Sequence, residues 1–191
     1  MLDPFCAIQT FGDALKLGGA CDEYNFFWWE DPYNDGGVSA FAHKKLRQLV
    51  KTPLLQTEHV RGLEPHVDFV VAEGTDFVRG DVHYDSGITG VMKICHAAEG
   101  FGLDVELHVG YAPHMHIMSA IRNANYLEFG LFHPRVKAAF PPIFTEDIAH
   151  SIDDADENGC VEAPDGPGLG VKYDWDYINA HKTDGAVYSL K

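Results

Sequence analysis

Long apolar runs are missing from this sequence. No stretch approaches the roughly 18 residues that a membrane-spanning helix requires. Positive charge is scarce as well: 14 Lys and Arg stand against 29 Asp and Glu, a formal net charge of −15 with His neutral. Without a stripe of Lys or Arg, neither a nucleic-acid face nor binding to an anionic membrane surface is supported. The first residues, with Asp3 and Pro4, lack the basic start and apolar core of a secretory signal. Cysteine is sparse. Cys6, Cys21, Cys95 and Cys160 lie far apart with no CxxC, a pattern of reduced thiols in a cytoplasmic protein rather than a disulfide framework.

What is present is a globular composition, 46% apolar over 191 residues, enough for one sizeable core. Short β-like runs recur: "FFWWE" (26–30), "PLLQTE" (53–58), "DFVRGD" (76–81), "DVELH" (104–108) and "NYLEF" (125–129). Helix-like stretches separate them. "TFGDALKLGGACDEY" has Thr10 as its N-cap. "GVSAFAHKKLRQLVK" (37–51) has Ser39 as its cap, with Phe41, Leu46 and Val50 near helical spacing. "GITGVMKICHAAEGFG" (87–102) places Val91, Ile94 and Ala98 on one face and ends at Gly100 and Gly102. This alternation predicts βαβ units and a parallel sheet. Residues 1–140 read as this domain. From 141 to 191 the rhythm gives way to a tail rich in Pro, Gly and Asp with short β-like pieces.

The ends of the strands choose between a barrel and an open sheet. Asp3, Glu30, Glu58, Asp81, His108 and Glu128 follow one another at roughly the length of one βα unit. In a barrel all six point into one cup. An open sheet would show a Gly-rich phosphate loop after its first strand, and "GGA" (18–20) lies inside a helix pattern instead. A lone carboxylate at a strand end is more often a solvated acid; the shared period argues otherwise. Asp3, Glu30 and Glu58 at one mouth repel unless a cation sits among them, and hard oxygen donors suit Mg²⁺. Asp81 and His108 end adjacent strands, where a carboxylate on one imidazole nitrogen makes the other a base. His114 and His116 have the spacing of a metal pair, or else line the cup or cover a helix start. Trp28 and Trp29 read as core.

These strand ends carry a resemblance. "WWEDP" (28–32), "QTE" (56–58), "DVHYDSGITG" (81–90), "DVELH" (104–108), "YLE" (126–128) and "PDGPGLG" (164–170) resemble, in order and spacing, the barrel-domain motifs of the enolase superfamily, in its mandelate racemase/muconate lactonizing enzyme group. The resemblance implies an α/β fold: a partial TIM-type (β/α) barrel of parallel strands that starts at the third strand. The first strands and the N-terminal capping domain, on which the tail would pack, would be lacking. The resemblance further implies that Asp3, Glu30 and Glu58 bind Mg²⁺, which holds a substrate carboxylate and stabilises an enediolate. His108, oriented by Asp81, takes the α-proton. Glu128 contacts the substrate carboxylate, and His59 and Arg61 contact a polyol chain.

Two departures stand out. Ser86 occupies a position where the motif usually has Gly, and Phe5 stands where some acid-sugar dehydratases carry a His. The expected activity is that of a Mg²⁺-dependent lyase dehydrating a small-molecule sugar acid, as one piece of a longer enzyme that is a homo-oligomer when complete. Alternatives are a racemase, epimerase or cycloisomerase of the same superfamily, and a catalytically inactive partial barrel.

Overall fold

The computed structural model describes residues 1–34, 38–110, 112–129, 143–146, 148–149 and 152–185. They belong to two compact units, Met1–Glu128 and Phe129–Lys191. Among the described residues no helix is long and apolar enough to cross a membrane.

The first unit alternates helix and strand: α1 (Phe11–Glu23), β1 (Trp29–Glu30), α2 (Ala40–Arg47), β2 (Leu54–Gln56), α3 (Leu63–Val71), β3 (Phe77–Gly80), α4 (Gly87–Gly100), β4 (Val105–Leu107) and α5 (Ala112–Ala120). The four strands form one parallel sheet in the order β1-β2-β3-β4. Leu2 adds a parallel bridge to Trp29, so the segment ending in Asp3 runs alongside β1. Successive parallel strands with a helix between each pair are the repeating unit of a (β/α) barrel, and this sheet is an arc of one.

Register sorts the side chains. Trp29 pairs with Leu54, Gln56 with Val78, and Gly80 with Leu107; this set faces the helices. Val78, Val105 and Leu107 pack with Val91, Ile94 and Ala98 of α4, as the helical spacing predicts. Trp29 and Leu54 pack with Ala14 of α1 and Leu46 of α2. A Cβ at Gly18 would lie 2.5 Å from Val50 Cγ1 and 2.7 Å from Trp29 Cζ3, so α1 needs glycine there to sit on the sheet. Thr10 and Ser39 cap their helices by accepting from the Asp13 and Ala42 N–H groups. Phe41, expected on the apolar stripe of α2, is instead 79% exposed, because His43 and Leu46 are the residues this short helix buries.

Glu30, Leu55, Phe77, Arg79 and Glu106 occupy the opposite, barrel-inner face by the same register. At its lower end Phe27, Trp28, Phe77 and Tyr126 form an aromatic cluster with centroids 5.1–5.9 Å apart. The segment "NYLEF" is not a strand. Its Tyr126 N–H donates to the Glu106 carboxylate at 3.1 Å, and Asn125 Nδ2 donates to the same group at 2.6 Å. A side chain thus takes the bonds that a sheet ladder would have supplied.

In the second unit, β5 (Phe144–Glu146) pairs antiparallel with β6 (Lys172–Tyr173), and α6 (Trp175–His181) follows with Asp174 as its cap. The expected domain boundary near 140 lies outside the described residues.

Candidate active site

Above the aromatic floor the inner face becomes charged. Arg79 points inward from β3 and is buried. Its Nε lies 2.7 Å from Glu30 Oε1, its Nη2 donates to Glu128 Oε2 at 2.6 Å, and its Nη1 donates to the Leu107 carbonyl at 3.4 Å. Burial works against the guanidinium charge, but Glu30 and Glu128 outweigh it and hold Arg79 cationic. Glu128 also accepts from the Val109 N–H at 2.9 Å.

At the strand ends the acids converge. Glu30, Asp31 and Glu58 each offer an oxygen, all within 4.8 Å of one another. Neither Glu30 oxygen, nor Asp31 Oδ1, has an aligned hydrogen-bond donor. Burial pushes Glu30 well above the ordinary carboxylate range, against the pull of Arg79, with Asp3, Glu128 and Asp31 adding repulsion. Burial, then Glu58 and Asp3, push Asp31 up to about 7. Buried carboxylate oxygens that lack donors and repel one another suit a hard divalent cation. Asp3 itself is exposed, and its Oδ1 accepts from the Phe5 N–H at 2.7 Å. It lies outside both tight donor groups found among the described residues, while its charge reaches Glu30 and Asp31.

Glu58 reaches this cluster because β2 ends abruptly. Thr57 adopts φ 91°, and its hydroxyl both donates to the Arg79 carbonyl and accepts from the Arg79 N–H, each at 2.9 Å. The side chain replaces the ladder and frees the next residue to turn. His59 follows, its Nε2 3.1 Å from Asp31 Oδ2 and 3.6 Å from Glu58 Oε1.

Asp81 and His108 meet as their spacing predicts. His108 Nδ1 donates to Asp81 Oδ2 at 2.7 Å, and its Nε2 stands 3.5 Å from Glu58 Oε1. Burial opposes the charged form of His108, yet the Asp81 bond and the Glu58 charge raise it overall. Burial also works on Asp81, but bonds from His108 and His83 bring it down to about 2. Asp85 fixes Asp81 from below: its oxygens accept from the Asp81 N–H at 3.0 Å and the Gly62 N–H at 2.9 Å. His114 is buried and pushed down to about 4 by that burial, and its Nε2 accepts from the Val82 N–H at 3.0 Å. It is a structural histidine. Arg61 lies over the Tyr84 ring at 4.0 Å, and Tyr84 stacks on His108 at 6.3 Å.

Sequence reasoning overlooked Asp31, Arg79 and Tyr84, and read His83 as a structural histidine. Arg79 was detectable, since alternation puts residues 79 and 81 on one face and a basic side chain inside a strand needs acidic partners. Ser86 has φ 65°, the left-handed conformation a glycine adopts without strain.

The sequence is 25% identical to a D-xylonate dehydratase of Haloferax volcanii over 181 residues, 92% of this chain and 41% of that protein. It is 26% identical to an arabinonate dehydratase of Saccharolobus solfataricus over 168 residues, 85% and 42% of the two. The crystal structure of D-glucarate dehydratase from Agrobacterium tumefaciens complexed with magnesium superposes with a TM-score of 0.78 at 30% identity, over 91% of this chain and 44% of that one. The chain thus spans less than half the length of these relatives. The profile of the family described as enolase C-terminal domain-like matches residues 1–177. By fold, by the order of its strand-end residues and by this match, the chain belongs to the enolase C-terminal domain-like family.

Proposed function

We propose that this chain carries the proton-abstraction site of a Mg²⁺-dependent sugar-acid dehydratase. The observation that carries the reading is the His108–Asp81 pair facing the acid cluster, with His108 Nε2 turned toward Glu58. The names of the relatives, which act on xylonate, arabinonate and glucarate, support the substrate class.

Asp3, Glu30 and Glu58 would hold the metal, and the donor-poor carboxylate oxygens of Glu30 fit that role. Mg²⁺, when bound, supplies Lewis-acid stabilisation of the negative charge that develops on the substrate carboxylate. Asp81 holds Nδ1–H and so leaves the Nε2 lone pair of His108 free to take the α-proton. The imidazolium that results is the acid available to the departing β-hydroxyl, which leaves as water. Glu128, fixed by Arg79 and the Val109 N–H, is the acid placed for the substrate carboxylate end. Arg61 and His59 stand at the rim, where a polyol chain would lie.

The test is a panel of sugar acids incubated with the protein and Mg²⁺ in D₂O and followed by proton NMR. The α-hydrogen signal of a substrate should disappear and a dehydrated keto acid should form. His108→Asn should abolish both while leaving Mg²⁺ binding nearly intact. Exchange at the wild-type rate in that variant, or no exchange of any sugar acid by Mg²⁺-loaded wild type, would overturn the proposal.

A further inference from the structure

Beside the oxygen cluster lies a second convergence of donors with different chemistry. Cys6, Asp31 and His59 each offer one ligand atom, and these atoms lie within 4.8 Å of one another. They come from three separate loops, after Leu2, after β1 and after β2. The Cys6 N–H donates to the Asp31 carbonyl at 3.0 Å. His59 Nε2 stands 3.1 Å from Asp31 Oδ2. That separation matches two ligands sharing one ion at about 2 Å each. Asp31 is 2% exposed, and its Oδ1 has no hydrogen-bond partner. A buried carboxylate oxygen left without a donor costs free energy unless something fills the gap.

The backbone is bent to make this meeting. Among the described residues seven non-glycine residues have positive φ, and four of them, Phe5, Cys6, Asp31 and Thr57, belong to these three loops. Strain of this kind gathers at functional sites.

Donor hardness separates the two groups. Carboxylates alone suit Mg²⁺, whereas thiolate, imidazole and carboxylate together suit borderline ions such as Zn²⁺ or Co²⁺. We propose that Cys6, Asp31 and His59 form a site for a divalent ion of the zinc or cobalt class, next to the Glu30 and Glu58 oxygens. On binding, the Cys6 S–H bond breaks, its proton passes to solvent and Sγ takes the ion. His59 binds through Nε2 in its neutral form, and Asp31 supplies a carboxylate oxygen. Because Asp31 adjoins both groups, an ion here changes the charge beside Glu30 and Glu58. The site is thus a place where a thiophilic metal acts on the neighbouring oxygen cluster.

The experiment is a Co²⁺ titration of the whole purified chain, followed by absorption in the near ultraviolet and visible. A thiolate-to-cobalt charge-transfer band should grow to saturation at one ion per chain. It should persist in Cys160→Ser, which removes the exposed thiol of the second unit. It should vanish in Cys6→Ser. Losing an outer partner of a ligand costs about 10–100-fold in metal affinity. Losing a ligand itself, in His59→Gln, should weaken Co²⁺ by at least that much. Far-ultraviolet circular dichroism of each variant shows whether the fold is kept; should Cys6→Ser unfold, His59→Gln decides alone. A band that survives Cys6→Ser, disappears with Cys160→Ser, or keeps its affinity in folded His59→Gln would overturn the proposal.

Discussion

Arg79 Nε lies 2.7 Å from Glu30 Oε1, and both side chains are almost wholly buried. The guanidinium bridges Glu30 to Glu128, so one cation is shared between an acid of the cluster and an acid across the cup. Removing one partner of a buried pair leaves an uncompensated charge, which costs about 3–5 kcal/mol. Arg79→Met should therefore destabilise the protein by roughly that amount in urea unfolding. Adding Glu30→Gln to it should cost less than the sum of the two single changes, because the stranded charge is gone. A loss under about 1 kcal/mol for Arg79→Met would contradict this account.

Asp81 titrates at about 2 against an ordinary 3.8, because His108 and His83 bond its charged form. His114 stands beside it as well, 3.7 Å away. A carboxylate lowered on folding stabilises the native state above its unfolded pKa and loses that contribution as pH falls through the folded value. The amount at stake is about 2 kcal/mol. Wild-type stability should fall between about pH 4 and pH 2, and Asp81→Asn should flatten that limb. Guanidinium unfolding at a series of pH values measures both; equal slopes would contradict the assignment.

Mg²⁺ should bind more weakly once Glu58 loses its charge. Calorimetric titration of Glu58→Gln should show affinity reduced by about tenfold or more relative to wild type. Equal affinity would remove Glu58 from the proposed ligand set.

Gly18→Ala tests packing against propensity. In an exposed helix the change stabilises by about 1 kcal/mol. Here the new methyl meets Trp29 and Val50 at 2.7 and 2.5 Å, so overpacking of about 1–3 kcal/mol should win. Thermal unfolding should show a lower Tm, and an unchanged or higher one would mean that α1 shifts freely on the sheet.

Much of this arrangement was legible because strand-end chemistry is written at fixed intervals. Glu30, Glu58, Asp81 and His108 were found by period alone, and Thr10 and Ser39 by the chemistry of caps. What escaped depended on contacts far apart in sequence. "NYLEF" has the alternation of a strand, yet Glu106 intercepts the Tyr126 N–H, and no local pattern announces that bond. The helix α3, between "PLLQTE" and "DFVRGD", carries Pro65 inside its apolar run. A proline in the first turn is tolerated, since the N–H it lacks has no intrahelical acceptor there. Asp3 ends the segment beside β1 as its spacing predicts, while the bond that its carboxylate accepts from the Phe5 N–H is a local turn contact that the period does not announce.

Chain order and spatial order coincide in the four-stranded sheet, each strand pairing with the one made just before it. Contacts of this kind each span one βα unit, so every added strand closes a loop of that length rather than one spanning the whole domain. During synthesis, each strand of this sheet emerges after the neighbour it pairs with. Glu30 and Glu58 are made before His108. Synthesis therefore runs from the acids toward the base, and the growing chain carries the negative charge of the cluster before the group that would use it exists.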